Sequence, residues 1–195
     1  MFRKLYNWIL SWADTKYGVP VLAIVSFAES SFFPVPPDPL LMALSLGKPK
    51  KAFWYAFVCS AMSVLGGIAG YFIGWALWDL MSGFFLTYVF SQEAFDYVGK
   101  LYQQNEFLAV LGAAITPIPY KVFTVTAGVF QISLISLIIA SAIGRSARFF
   151  IEAALIYFFG EKIRYFIDKY FNLLLTLFFI LIVLGFVIVK LLLKN

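Results

Sequence analysis

The stretch Phe27–Gly47, FAESSFFPVPPDPLLMALSLG, decides how the chain is read. It is nearly all apolar, yet it holds Glu29, Asp38 and four prolines: Pro34, Pro36, Pro37 and Pro39. Proline fixes φ and lacks an N–H, so no regular helix is expected through 34–39. In a water-soluble chain this is an ordinary loop. In lipid, broken backbone survives only where protein buries it or where it lines a cavity. A carboxylate at that depth costs about 2.5–3.5 kcal/mol on insertion scales, so it faces a pathway or a partner.

Composition decides between those settings. The 195 residues are 63% hydrophobic, 20% aromatic and only 13% charged, with mean hydropathy +0.90. A soluble domain is nearer half apolar and a quarter charged. The class predicted is therefore an all-α polytopic membrane protein, built as one membrane domain over 1–195. The net charge of +5 is read through loop lysines and arginines that mark the cytoplasmic side, with no nucleic-acid partner. There is no histidine, and the one cysteine, Cys59, lies inside an apolar run. That excludes His-based acid–base chemistry and argues against a Cys/His metal site. No metal or cofactor is expected, no intrachain disulfide can form, and no cleaved signal peptide is read at the N-terminus.

Residues 1–16 place Phe2, Leu5, Ile9 and Trp12 at helical spacing and predict an interfacial amphipathic helix. Residues 17–47 read as a re-entrant hairpin, because neither arm beside the prolines makes a clean span. Lys48, Lys50 and Lys51 then mark the cytoplasm. A transmembrane helix is predicted over 52–78. Its Gly66, Gly70 and Gly74 give the small-xxx-small spacing of close helix packing, and Trp75 and Trp78 read as belt residues. Residues 80–90 are apolar but short. Residues 91–105 bring Phe95, Val98 and Tyr102 to one face of a surface amphipathic helix.

Residues 107–128 repeat the opening motif. An apolar arm runs into Pro117-Ile118-Pro119, then Tyr120-Lys121, and returns to Gly128. Pro34 to Pro117 is 83 residues and Gly47 to Gly128 is 81. A long helix follows each hairpin, the second over 132–160. There Arg145, Arg148 and Glu152 share one face by their spacing of three, four and seven. A plain span is predicted over 170–190. From a cytoplasmic N-terminus, hairpin one opens inside and hairpin two outside. The units are then inverted repeats with an added C-terminal transmembrane helix, an arrangement that puts a transport site at the repeat interface.

The glutamate before a proline-rich turn with Asp38, the second proline turn leading to Ala127-Gly128 and the glycine-spaced helix together resemble the DedA family. That family, also called SNARE-associated or VTT-domain proteins, lies in the bacterial inner membrane, and the resemblance spans about residues 17–160. It implies opposed re-entrant hairpins and the flipping or scrambling of phospholipid or undecaprenyl phosphate between leaflets, in several members with dependence on the proton motive force. Carried over by motif, the family's acidic residues fall on Glu29 and Asp38. Its second hairpin usually bears two arginines that are absent here, with Tyr120-Lys121 in the second position.

The expectation is thus a lipid transporter and not an enzyme. Phosphate would be met by Lys121, Arg145, Arg148 and Tyr120, and protons by Glu29, Asp38 and Glu152. The hairpin turns fall at Pro34, Pro36, Pro37, Pro117 and Pro119. A structural or assembly factor using the same charges as fixed pairs stays open, as does a proton-coupled transporter of a small solute. The reading leaves room for a homo-oligomer. An intramembrane enzyme finds no nucleophile–base pair, since Ser30 and Ser31 have no histidine.

Overall fold

A computed structural model describes residues 15, 17–88, 92–116 and 118–160, with the side chains at 79, 81, 84–88 and 94 excepted. The amphipathic segment 1–16, the terminal span 170–190 and Pro117 lie outside the described residues, apart from Thr15. Among the described residues the structure is all helical. In order, the helices are α1 (Gly18–Ser31), α2 (Asp38–Gly47), a 3-10 turn (Pro49–Lys51), α3 (Ala52–Tyr88), α4 (Gln92–Gln104), α5 (Glu106–Ile115), α6 (Tyr120–Val129) and α7 (Leu134–Gly160). Two of them carry stretches long and apolar enough to cross a membrane, Pro49–Trp78 and Leu134–Gly160.

Both proline runs break the helix as expected, with one correction. The first break ends at Pro37, and Asp38 and Pro39 already belong to the first turn of α2. Proline is tolerated there because the first amides of a helix have no intrahelical acceptor. A second correction concerns the 52–78 span. Helix α3 continues to Tyr88, so 80–90 is mostly its extension. No proline interrupts 79–88, and Gly83 alone costs only about 1 kcal/mol relative to alanine.

Helix α3 is the spine, with α1 and α6 packed along it. Its glycines explain how close these backbones come. A Cβ on Gly66 would strike the Phe27 carbonyl of α1, and one on Gly74 the Val125 carbonyl of α6. Gly128 of α6 answers with the Tyr71 carbonyl of α3. On α7, a Cβ at Gly144 would meet Ala114 and Leu111 of α5. The predicted role of the glycines in packing is what these contacts describe. Serine hydroxyls lace α1 to α3 beside them. Ser26 donates to the Cys59 carbonyl at 2.6 Å, Ser30 and Ser63 share a bond of 2.7 Å, and Ser31 donates to the Gly66 carbonyl at 2.9 Å.

Two apolar clusters result. One joins Leu22, Leu40, Leu41, Tyr55, Cys59 and Phe149 from α1, α2, α3 and α7. The other joins Tyr102, Val110, Tyr120, Ala127 and Leu137. Helix α4 docks by its predicted face. Tyr102 is buried and donates to the Phe123 carbonyl at 2.8 Å, and Phe95 stacks on Trp78 at 4.5 Å.

The turn from α6 to α7 closes as a Schellman motif. Ile132 N–H bonds the Ala127 carbonyl, Gln131 N–H bonds the Gly128 carbonyl, and Gln131 sits at φ 50°. A left-handed residue with a Cβ is strained by about 1–2 kcal/mol. Gln131→Gly is therefore expected to raise stability by about 1 kcal/mol, read as a higher melting temperature in detergent. An unchanged or lower value would show the turn to be unstrained.

Candidate functional site

The charged side chains gather between the two helix breaks. Arg145 and Arg148 leave α7 one turn apart, while Glu29 stands near the end of α1 and Asp38 begins α2. The chain folds back so that each arginine meets one acid. Arg145 bonds Glu29 at 2.7 Å, and Arg148 bonds Asp38 through both Nε and Nη2. Glu152, one turn further along α7, lies 3.6 Å from Arg148. Asp38 also sits in the first turn of α2, where the helix dipole favours a negative charge.

The two arginines have different surroundings. Arg145 is 2% exposed. Its Nε donates to Ser63, and its guanidinium lies 4.9 Å from the Tyr120 ring centroid and 4.7 Å from that of Phe149. It is held by an ion pair, a hydroxyl and two aromatic faces. Arg148 is 23% exposed at its side chain and reaches across to the second break, where Nη1 donates to the Thr116 carbonyl at 3.3 Å. One guanidinium thus touches elements of both broken segments.

The breaks are tied to each other as well. Lys121 Nζ donates to the Phe33 carbonyl at 3.1 Å, and Thr124 donates to the Ser30 carbonyl at 2.9 Å. The expected proximity of the two tips is present, although Pro117 itself is outside the described residues. Pro36 is exposed and Pro37 buried.

The seven predicted site and coupling positions therefore divide. Glu29, Asp38, Arg145, Arg148 and Glu152 form one cluster. Lys121 lies at the tips, bonded to a carbonyl rather than to Glu29 or Asp38. Tyr120 is 1% exposed and donates to Ser141, so in this conformation it faces the interior and not a ligand. Arg145 is equally enclosed. Ser63 was missed by sequence reasoning, yet it bridges Ser30 and Arg145. Its signal was its place on the Cys59–Ser63–Gly67 stripe of small residues. Glu106 was missed too. It accepts from Ser133 N–H at 3.0 Å and from the Ser136 hydroxyl, capping the start of α7. Glu106→Ala should lower the melting temperature by the equivalent of about 1 kcal/mol, as for other lost caps, and an unaltered melting temperature would remove Glu106 from this role.

No protein-family model and no solved structure matches the chain. An uncharacterized protein of Haemophilus influenzae is 37% identical over 162 residues, which cover 83% of this chain and 84% of that protein. An uncharacterized protein of Histophilus somni is 30% identical over 162 residues, with the same coverage. The chain belongs to the protein family that these two proteins represent.

Proposed function

We propose that this chain is a polytopic protein of the bacterial inner membrane that carries a phosphate-bearing lipid between leaflets, as its resemblance to the DedA family implies. The observation that carries the reading is Arg148, whose guanidinium meets Asp38 after the first break and the Thr116 carbonyl in the second. Helices broken inside apolar segments, with charges gathered where the breaks meet, are the arrangement of secondary transporters. The repeat offsets near 82 residues and the tip contacts support the same picture of two inverted hairpin-plus-helix units. In that picture α1–α2 and α5–α6 are the hairpins, and α3 and α7 are the helices that cross.

Arg148 and Lys121 are the phosphate ligands in this account. Both lie at the tips and keep part of their surface open, whereas Arg145 and Tyr120 hold the frame from inside. Arg148 offers the planar fork that phosphate prefers, and Lys121 a point charge beside it. A phosphate would compete with Asp38 for Arg148, so lipid arrival and loosening of the α2–α7 contact would go together.

The enclosure of Arg145 favours a second reading, in which the same charges serve only to hold the hairpins in an assembly factor. The two separate in liposomes containing the purified protein. Transport predicts leaflet exchange of labelled phospholipid or polyprenyl phosphate above protein-free vesicles, and exchange at the protein-free rate for both lipids contradicts it. The topology has its own test on a Cys59→Ala background. Single cysteines before and after Pro36 should label from the same face of the membrane. Labelling from opposite faces would make the first hairpin a true span and end the inverted repeat.

A further inference from the structure

The ion cluster is unbalanced. Three carboxylates, Glu29, Asp38 and Glu152, meet two guanidiniums. Arg145 and Glu29 match each other one to one. Arg148 is left between Asp38 and Glu152, so both carboxylates converge on one guanidinium. Two ionised carboxylates present only acceptors, so a bond between them needs a proton. With both ionised, Glu152 Oε2 is buried and finds no donor among the described residues. A buried oxygen without a donor is costly, and one proton placed between the two carboxyls removes that cost and the excess charge together.

The groups around the pair are Glu29 from α1, Cys59 from α3, and Arg145 and Arg148 from α7 itself. Lys121 donates elsewhere, to the Phe33 carbonyl.

We propose that Asp38 and Glu152 hold a single proton between them, and that this shared proton, rather than one on Glu29, moves with the lipid. The coupling half of the proposal rests on the transport reading above. The mechanics follow from where the partners sit. Asp38 belongs to the broken segment and Glu152 to the long helix. When α2 parts from α7, the carboxyl–carboxyl bond breaks, each acid faces the new surroundings alone, and the proton leaves to water. Return of α2 restores the bond and takes one proton up. The two acids titrate as one unit, so neither carries the proton by itself.

Infrared spectroscopy of the purified full-length protein tests the proton directly. At neutral pH the wild type should show a protonated-carboxyl C=O band that shifts in heavy water. The band should vanish in Glu152→Gln and in Asp38→Asn and persist in Glu29→Gln, the two acid-pair variants guarding against a folding failure in either one. No such band in the wild type, or a band that survives both variants, overturns the proposal. Coupling is read separately, as lipid exchange against pH in liposomes. A step limited by one proton changes by about tenfold per pH unit over its titrating range. That slope should be present in the wild type and in Glu93→Gln, an exposed acid of α4 outside the cluster, and absent in Glu152→Gln. A slope kept in Glu152→Gln overturns the coupling. The band without any wild-type exchange would leave the shared proton standing while the transport reading falls.

Discussion

Arg145→Met should destabilise the protein by about 3–5 kcal/mol, the range for removing one partner of a buried pair. The guanidinium is 2% exposed, so solvent cannot replace it. Its loss leaves Glu29 with the weaker Ser30 hydroxyl at 3.3 Å, and it leaves Ser63 without its charged donor. Methionine fills much of the volume between Tyr120 and Phe149, so the loss is one of charge pairing more than of packing. The double variant Glu29→Gln with Arg145→Met should recover a large part, because no unpaired charge then remains. Detergent melting of the two singles and the double supplies the cycle. Additive losses, or a single variant within about 1 kcal/mol of wild type, would show that the pair is not a coupled unit.

Gly128→Leu is the other severe change. The α3 and α6 backbones approach at Gly74 and Gly128, each facing a carbonyl of the opposite helix. A Cβ at Gly128 collides with the Tyr71 carbonyl, which belongs to a long helix and cannot rotate aside as a side chain would. Overpacking in a core costs about 1–3 kcal/mol, and a backbone collision belongs at or beyond the top of that range. Movement of α6 would also strain the Thr124 contact to Ser30 and the Lys121 contact to Phe33. The expected result is a melting temperature reduced by the equivalent of about 3 kcal/mol or more, with Gly112→Leu as control, since open space surrounds Gly112. Equal behaviour of the two variants would contradict the packing.

The breaks were legible in the sequence because proline acts locally, through its own ring and missing amide. The common face of Arg145, Arg148 and Glu152 was legible for a similar reason, since helical spacing fixes it. Which acid meets which arginine was not. Glu29 and Arg145 are 116 residues apart, Asp38 and Arg148 are 110 apart, and only the folded path selects between the pairings. The glycine row foretold close packing, but not that Gly66 serves α1 while Gly74 serves α6. Tyr120 was assigned to the ligand because it follows the second proline turn. Its rotation into the core depends on Ser141 of α7, a partner that local spacing does not reveal. The run of α3 past Trp78 was hidden by reading a span length as a helix length.

The central claim is that Arg148 recognises phosphate for transport and is more than a strut between the breaks. Arg148→Lys separates these roles, because lysine keeps the charge near Asp38 and Glu152 but lacks the fork. The decisive measurement pairs leaflet exchange of labelled lipid in liposomes with the melting temperature of the same preparation. The account predicts a melting change within about 1 kcal/mol, as expected for a partly exposed charge that is kept, together with exchange reduced by about tenfold, the fold-change for one lost charge-assisted hydrogen bond. Exchange that falls only in step with stability, or that stays at the wild-type rate, would contradict it.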